Sequence, residues 1–306
     1  MKIISISLVL LYSTLNVFSQ EEIKLSSTDV DLYATLLLPE KETQKVILII
    51  SGSGATDRDG NSKPGYVHDG LKKLAEELTE LGYATLRYDK RGVGKSVSNS
   101  LKAENLRFEQ YVFDAGNWIS FLNERFEDIT VIGHSQGALV GMLAIQNVRV
   151  NKFISLAGLS EDASTTIKRQ LSSQPKFVLE QAIPILDSLN KGIKVDSVPQ
   201  YMNSLFNPKI QNYLISFMKY DPREEIKKIG IPILVVQGTT DIQITVEGAT
   251  SMSNNSPYAT LRLIDGMNHV LRSSSLDINE NMATYSSTEN PLHKDLVKVI
   301  ANFIGQ

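Results

Sequence analysis

Short apolar runs alternate along the chain with segments whose apolar residues recur every three or four positions. The runs predict strands at 46–50, 84–88, 129–132, 153–156, 233–236 and 260–264. The helically spaced segments predict amphipathic helices at 71–81, 111–125 and 292–303. Because 46–50 is apolar at every position, it is typical of a strand buried on both faces. The alternation favours an α/β fold with a mostly parallel central sheet and helices on both faces.

Three segments depart from this alternation. Residues 23–38 contain two short alternating stretches and predict an opening antiparallel pair of strands. From about 160 to 221 no strand-like run occurs, and the pair Tyr213/Phe217, four residues apart, indicates helix. We interpret 160–221 as a helical lid inserted into the sheet domain, with ordinary core helices as the alternative. The long polar stretch 272–290 is predicted to be a loop.

The first 19 residues have the pattern of a secretory signal peptide. Lys2 gives a positive start, residues 3–17 are mostly apolar and uncharged, and Ser19 is a small residue suited to cleavage. The alternatives are a short membrane anchor and a buried first strand, but several serines make the stretch too polar for a stable span. We therefore expect residues 20–306 to form one exported domain, periplasmic or secreted, with no stable membrane insertion after the signal is removed.

Composition and charge exclude several classes of chemistry. The 306 residues are 42% hydrophobic and 21% charged, as in a folded globular protein. Lys and Arg together number 31 and Asp and Glu 34, a net charge of −3, so there is no basic excess for binding nucleic acid. Cysteine is absent, which excludes disulfides, thiolate catalysis and thiolate metal sites. Nothing in the sequence specifies an oligomeric state.

The strongest chemical signal is the motif Gly-His-Ser-Gln-Gly at 133–137. It follows the predicted strand 129–132 directly and precedes a small-residue stretch, 138–144, that indicates a helix. A serine on such a strand-to-helix turn takes a cramped backbone conformation, needs glycines on either side, and projects its hydroxyl away from the sheet. The motif therefore predicts Ser135 as a nucleophile. The alternative is a glycine-flanked packing turn.

A serine hydroxyl needs a base at neutral pH, and the chain has four histidines. His134 adjoins the serine and cannot point into the same site. His68 lies early, before the first predicted helix, and His293 falls in the first turn of the closing helix, usually a solvated position. His269 follows the strand 260–264, at the carboxyl edge where open sheets carry their sites. His269 is the predicted base.

The acid that orients the base should follow the preceding strand. Asp241 lies directly after 233–236, which gives the chain order serine, aspartate, histidine. Asp265 is the alternative acid, although it is very near His269 along the chain, and a surface loop is the alternative for Asp241.

The segment Ser-Gly-Ser-Gly at 51–54 ends the first central strand. We expect the backbone N–H groups of Ser53 and Gln136 to form an oxyanion hole. The charged residues 57–61 that follow either shape the entrance to the site or form a salt-bridged loop, the second being favoured.

Five motifs together resemble the α/β-hydrolase superfamily over nearly the whole chain after the signal. They stand at 51–54, 89–96 (Asp-Lys-Arg-Gly-Val-Gly-Lys-Ser), 133–137, 238–241 and 266–269. The chain is most similar to exported bacterial esterases related to the serine aminopeptidase and acyl-peptidase-like branch, which carry a stretch like 51–61. Many relatives have His-Gly where this chain has Ser51-Gly52. The resemblance implies the α/β-hydrolase fold and a two-step reaction through an acyl-enzyme on Ser135, with no metal or organic cofactor.

The predicted activity is hydrolysis of small carboxylic esters, with short acyl chains favoured. One alternative is a serine peptidase or aminopeptidase, because the same three residues also cleave amides. A further alternative is a binding protein that keeps the fold without the reaction.

Overall fold

The protein is described by a computed structural model that covers residues 18–62 and 65–306. Most of the predicted signal peptide, residues 1–17, lies outside the described residues. Eight strands form one sheet: β1 (Ser19–Leu25), β2 (Leu32–Leu38), β3 (Lys45–Ile50), β4 (Ala84–Tyr88), β5 (Asp128–His134), β6 (Lys152–Leu156), β7 (Ile233–Gly238) and β8 (Ala259–Ile264). The spatial order is β1-β2-β4-β3-β5-β6-β7-β8.

The sheet is parallel from β4 through β3 to β8, and antiparallel only where β1 pairs with β2 and β2 with β4. The predictions of a mostly parallel sheet and of an opening antiparallel pair are confirmed. In the centre, Leu48 of β3 lies opposite Leu86 of β4 and Val131 of β5. Parallel strands in this position are covered on both faces, which explains why β3 is apolar and buried after its exposed first residue, Lys45.

Eleven α-helices occur in the described residues: α1 (Gly70–Glu80), α2 (Phe108–Asn123), α3 (Gln136–Ala144), α4 (Ala163–Leu171), α5 (Lys176–Asn190), α6 (Asn203–Phe206), α7 (Gln211–Phe217), α8 (Pro222–Glu225), α9 (Val246–Ser253), α10 (Ile278–Ala283) and α11 (Leu296–Ile304). Short 3₁₀ turns cover Ala103–Asn105, Gln200–Met202, Pro208–Ile210, Ile226–Lys228 and Thr284–Ser286. None of the helices within 18–62 and 65–306 is both long and apolar enough to cross a bilayer.

Helices cover both faces of the sheet and bury separate apolar layers. Leu48 and Val131 pack with α2 and α3 on one face, whereas Ile47 and Ile49 pack with α1 and α11 on the other. This alternation follows from the two-residue period of a strand. Each fully buried leucine or isoleucine contributes about 1.5–3 kcal/mol, so the two layers supply most of the driving force for folding.

The segment 160–221 contains α4, α5, α6 and α7 and no strand, as the sequence predicts. These helices enclose a third apolar cluster, which includes Leu186, Leu189 and Phe206. The last of them, α7, also packs on α2, where the rings of Phe108 and Phe217 lie 4.8 Å apart. The insert is therefore anchored to the sheet domain at one end while it builds a small core of its own.

Two expectations near the carboxyl terminus are wrong. The closing helix begins at Leu296, so His293 precedes it. His293 is buried rather than solvated, and its backbone N–H donates to Leu271 O. The polar stretch 272–290 is not an uninterrupted loop. It contains α10, whose first turn is capped by the Asp277 side chain accepting from Asn279 N and Glu280 N.

Candidate active site

Ser135 occupies a strained turn between β5 and α3. Its φ is +54° and its ψ −123°, a region that non-glycine residues rarely adopt. Backbone hydrogen bonds hold it there: Ser135 N donates to Leu156 O at 3.1 Å, and Ser135 O accepts from Leu159 N at 3.2 Å. Strain of this kind costs about 1–3 kcal/mol and persists only where the surroundings impose it.

The glycines around this turn allow backbone segments to touch. A Cβ on Gly133 would lie 2.4 Å from Gly137 O, and a Cβ on Gly137 would lie 2.4 Å from Ile50 O. Both distances are far inside van der Waals contact. A Cβ on Gly52 would lie 3.1 Å from the Ser135 Cβ, so the segment 51–54 runs directly beside the turn. The motif therefore brings strand, helix and the neighbouring segment together around one hydroxyl.

Asp241 and His269 form a buried pair at the carboxyl ends of β7 and β8. His269 Nδ1 lies 2.9 Å from Asp241 Oδ2. The other carboxylate oxygen, Oδ1, accepts from Gln243 N at 2.7 Å and from Ile244 N at 2.9 Å. Burial by itself raises the pKa of Asp241, but the charge of His269 and these hydrogen bonds outweigh it and hold the pKa below its usual range. An ionised Asp241 accepts a hydrogen bond from Nδ1–H, so the proton of the neutral ring stays on Nδ1 and Nε2 is free to accept one.

Ser135 and His269 line the same cavity, together with His134. The Ser135 hydroxyl and the His269 ring are not hydrogen-bonded to each other in this conformation. Such bonds are often long in unliganded enzymes and tighten when substrate binds. The structure thus brings the three predicted residues to one site, with the aspartate–histidine contact made and the serine–histidine contact open.

The other candidates make different contacts, and His134, which we expected to point away from the site, lines its cavity as well. His134 Nε2 lies 2.9 Å from His269 O, and burial lowers the pKa of His134 to about 3, so the neutral ring donates to that carbonyl. Asp265 accepts from Thr239 Oγ1 at 2.9 Å rather than from His269. His293 lies against the loop that follows His269. His68 lines the cavity that contains Ser135 and His269.

Ser53 and Gln136, the expected oxyanion donors, both border the Ser135 site. Gln136 is the first residue of α3, where backbone N–H groups lack acceptors inside the helix. In the described residues neither Ser53 N–H nor Gln136 N–H donates to another protein group. Both are therefore available to a developing negative charge.

Lys90 was not predicted to take part, yet it holds the segment that carries Ser53. Its Nζ is buried and donates to Gly52 O and, at 3.0 Å, to Gly54 O. Burial lowers the pKa of Lys90 to about 7, and the nearby Asp57 opposes that shift. Lys90 contacts a segment nearly 40 positions away along the chain. The one feature of the sequence that could have indicated this contact is that Lys90 lies inside the motif 89–96.

The charged residues 57–61 form a salt-bridged loop. Arg58 Nη2 lies 2.7 Å from Asp89 Oδ2, and Arg87 Nε lies 2.7 Å from Asp59 Oδ1. The motif 89–96 is tied to α2 as well, because Arg91 makes two hydrogen bonds of 2.7 and 2.6 Å to Asp114. The loop is thus joined to the motif by Arg58 and to β4 by Arg87, and the motif is joined to α2 by Arg91.

A second set of residues that sequence reasoning missed supports the loops of Asp241 and His269. Asn281 of α10 donates to Thr240 O at 2.8 Å, and Asn268 donates to Thr284 Oγ1 at 2.7 Å and to Asn281 Oδ1 at 3.3 Å. Asn268 and Asn281 are fully buried. The helix α10 thus connects the acid loop with the base loop.

Two cavities of about 250 Å³ each meet at Ser135. The polar cavity is lined by His269 and by side chains that include Thr56, Tyr66, His68, Gln243 and Tyr285. The apolar cavity is lined largely by the insert, with Leu159, Ala163, Ile167, Ile210, Leu214 and Phe217. No aspartate or glutamate lines either cavity in the described part of the chain.

A family model covers most of this architecture. Residues 68–273 match the Hydrolase_4 family, described as serine aminopeptidase, S33. The chain belongs to this family. The matched range contains Ser135, Asp241 and His269, and the observed sheet with helices on both faces is the α/β-hydrolase fold.

Among curated proteins, this S33-family chain is similar to Esterase EstD of Thermotoga maritima. The two are 24% identical over 203 residues, which is 65% of this chain and 47% of EstD. The chain therefore spans about half the length of the curated relative that it matches.

Solved structures share the fold at low identity. Est1E from Butyrivibrio proteoclasticus with bound ferulic acid has a TM-score of 0.59 and 20% identity, covering 93% of this chain and all of that chain (100%). The Pyrococcus furiosus esterase Pf2001 has a TM-score of 0.59 and 16% identity over 94% of this chain and 90% of its own. Proline iminopeptidase of Mycobacterium smegmatis has a TM-score of 0.61 and 14% identity, covering 94% of this chain and 98% of its own.

Proposed function

We propose that the protein is a serine hydrolase that cleaves small carboxylic esters through an acyl-enzyme on Ser135. The observation that carries this proposal is the buried contact of 2.9 Å between Asp241 and His269, because His269 lines the cavity that the strained Ser135 turn also lines. The esterases EstD, Est1E and Pf2001 among its relatives support the same activity.

In the proposed reaction Ser135 Oγ attacks the ester carbonyl while His269 Nε2 takes its proton. Asp241 holds the imidazole through Nδ1 and stabilises its positive charge. The N–H groups of Ser53 and Gln136 bind the oxyanion. His269 then gives its proton to the leaving alcohol, and a water molecule activated by the same histidine releases the acid.

The lining of the two cavities favours esters over peptides with a free amino terminus. An aminopeptidase must pair the charged α-ammonium group of its substrate, which calls for carboxylates near the serine. Neither cavity has an aspartate or glutamate in its wall within the described residues. An uncharged ester meets no such requirement.

The test compares wild type with Ser135→Ala on p-nitrophenyl butyrate, on amino-acid p-nitroanilides and on a fluorophosphonate probe. We expect ester hydrolysis to exceed anilide hydrolysis, and the variant to lose about a thousandfold or more in kcat and all labelling. Ser172→Ala, at the exposed end of α4, is the matched control and should behave as wild type. Full activity in Ser135→Ala, or a strong preference for anilides, would contradict the proposal.

We also propose that residues 1–19 direct export and are then removed, so that the protein is periplasmic or secreted. The lysine at the start, the uncharged apolar stretch and Ser19 support this proposal. Cleavage after Ser19 would leave all of β1 except its first residue with the domain. Expression of the whole chain in a bacterial host, followed by fractionation and amino-terminal sequencing, should give an exported protein that starts at Gln20. An uncleaved cytoplasmic product would overturn the proposal.

A further inference from the structure

The two cavities at Ser135 differ in which catalytic groups they reach. Both are bordered by Ser53, Ser135 and Gln243. His269 lines only the polar cavity, and Gln136 lines only the apolar cavity. An ester whose carbonyl sits at Ser135 therefore extends one end into each cavity.

The proton that His269 gives to the leaving group determines which side of the ester lies in which cavity. The leaving alkoxide has to receive a proton from His269, so the alcohol side of the ester must lie where His269 is exposed. That side is the polar cavity. The acyl group then occupies the apolar cavity, lined by Leu159, Ile167 and Leu214.

His68 is a fixed hydrogen-bond donor in the wall of the polar cavity. Its backbone is held at both ends, because His68 N donates to Asn61 Oδ1 at 2.9 Å and Arg272 donates to His68 O. Its ring is held as well, because Gly70 N donates to Nδ1 at 3.1 Å. A ring nitrogen that accepts a hydrogen bond carries no proton, so the proton of the neutral ring lies on Nε2.

Burial and the positive charge of Arg272 keep this ring neutral, since together they lower the pKa of His68 to about 4. The residue is 6% exposed, and in the described part of the chain Nε2 donates to no protein group. Nε2 is not among the fully enclosed atoms that lack a partner, so an acceptor in the cavity, water or ligand, can receive its hydrogen bond.

The rest of the wall offers further groups for hydroxyls. Gln243 Nε2 lies 3.2 Å from the Tyr285 hydroxyl, and both side chains line the polar cavity. The ring of Tyr285 packs edge-on against Tyr66 at 5.4 Å, which places aromatic surface beside these polar atoms. Aromatic surface next to hydroxyl and amide groups suits a ligand that has both C–H faces and hydroxyl groups.

We propose that the polar cavity binds a polyhydroxylated alcohol as the leaving group of the ester, and that His68 Nε2 donates a hydrogen bond to one of its hydroxyls. The proposal rests on the ester hydrolysis proposed above and names the substrate class for that site. The apolar cavity takes an unsubstituted acyl chain in the same substrate. His68 is thus a specificity-determining residue for the alcohol, distinct from the three residues that perform the reaction.

The test measures kcat/KM for four butyrate esters: methyl 6-O-butyryl-glucopyranoside, monobutyrin, butyl butyrate and p-nitrophenyl butyrate. The first two separate a sugar from glycerol as the source of the hydroxyls, and butyl butyrate lacks hydroxyls. We expect wild type to prefer at least one hydroxylated ester over butyl butyrate by about tenfold or more. In His68→Phe this ratio should fall about tenfold, because a phenyl ring cannot donate.

His68→Gln restores a side-chain N–H and should recover most of the ratio. His293→Gln changes a histidine outside both cavities and should leave the ratio unchanged. Fluorophosphonate labelling of Ser135 in each variant reports whether the site is folded. If His68→Phe does not fold, the test rests on the ratio of kcat/KM for the hydroxylated esters to that for butyl butyrate, measured in wild type and in His68→Gln.

Equal rates on butyl butyrate and both hydroxylated esters, or a ratio that His68→Phe leaves unchanged, would overturn the inference. In that case hydrolysis of p-nitrophenyl butyrate would still support the proposed function. If no ester is hydrolysed and Ser135 is not labelled, the proposed function itself fails.

Discussion

Lys90 shows how one buried cation can prepare a site without touching substrate. Its Nζ donates to Gly52 O and Gly54 O, and no carboxylate lies within ion-pair distance of it among the described residues. In a trans peptide the C=O and the following N–H point in opposite directions. By fixing Gly52 O, Lys90 also fixes the direction of Ser53 N–H, the proposed oxyanion donor.

Lys90→Met should lower kcat on p-nitrophenyl butyrate about 10- to 100-fold with little change in KM, because an oxyanion donor acts in the transition state. The inhibition constant of a trifluoromethyl ketone, whose adduct carries the same oxyanion, should rise by a similar factor. Lys95→Met is the matched control, since Lys95 lies in the same motif with its side chain 62% exposed. A rise in KM alone would refute the positioning role.

At the scale of elements, the insert builds one wall of the site. Ala163 lies at its start, just after Leu159, and Leu214 and Phe217 of α7 line the same apolar cavity from the end of the insert. The volume of about 250 Å³ limits the size of the acyl group that fits, and the preference for short chains stays a prediction. Because α7 also packs on α2, the wall is held in place by the sheet domain.

Ile167→Trp should shorten the acyl chain that the enzyme accepts, because the larger side chain fills part of the apolar cavity. We expect kcat/KM for p-nitrophenyl octanoate relative to acetate to fall about tenfold. Ile183→Trp on α5, where Ile183 is 38% exposed, makes the same change outside both cavities. If both variants alter the chain-length profile equally, the insert does not set acyl selectivity.

On the scale of the whole molecule, the sheet could be predicted from sequence and much of the support for the site could not. Strands such as β3 and β5 are buried on both faces, and their mostly apolar runs at 46–50 and 129–132 can be recognised in the sequence alone. The contacts of Asn281, Asn268 and Lys90 join positions that are 13 to 41 residues apart and follow no periodicity. The helix α10 was missed for the same reason, since its polar residues bond to loops rather than to an apolar layer.

The stability of the molecule should depend on pH through two buried histidines. The pKa of His68 is about 4 and that of His134 about 3, both below the usual 6.5, mainly because burial disfavours the charged ring. The folded state therefore binds fewer protons than the unfolded state below pH 6.5. Their contribution is complete above pH 6.5 and is lost as the pH falls toward 4 and 3.

Urea unfolding should accordingly show a lower free energy of unfolding at pH 5 than at pH 7, by about 1–2 kcal/mol for each histidine. His134→Gln should reduce this difference, whatever its effect on stability at pH 7. Equal stability of the wild type at the two pH values would show that these rings are not held neutral.

The hydrogen bond from His134 to His269 O couples two parts of the chain that are 135 positions apart. The residue next to the nucleophile thereby tethers the loop of the base to the same turn. When thermal motion displaces the loop of His269, the hydrogen bond displaces His134 as well. Ser135 and the His269 ring therefore move together rather than independently. The alignment of the Ser135 hydroxyl with the His269 ring then depends on this one hydrogen bond more than on the rigidity of the whole sheet.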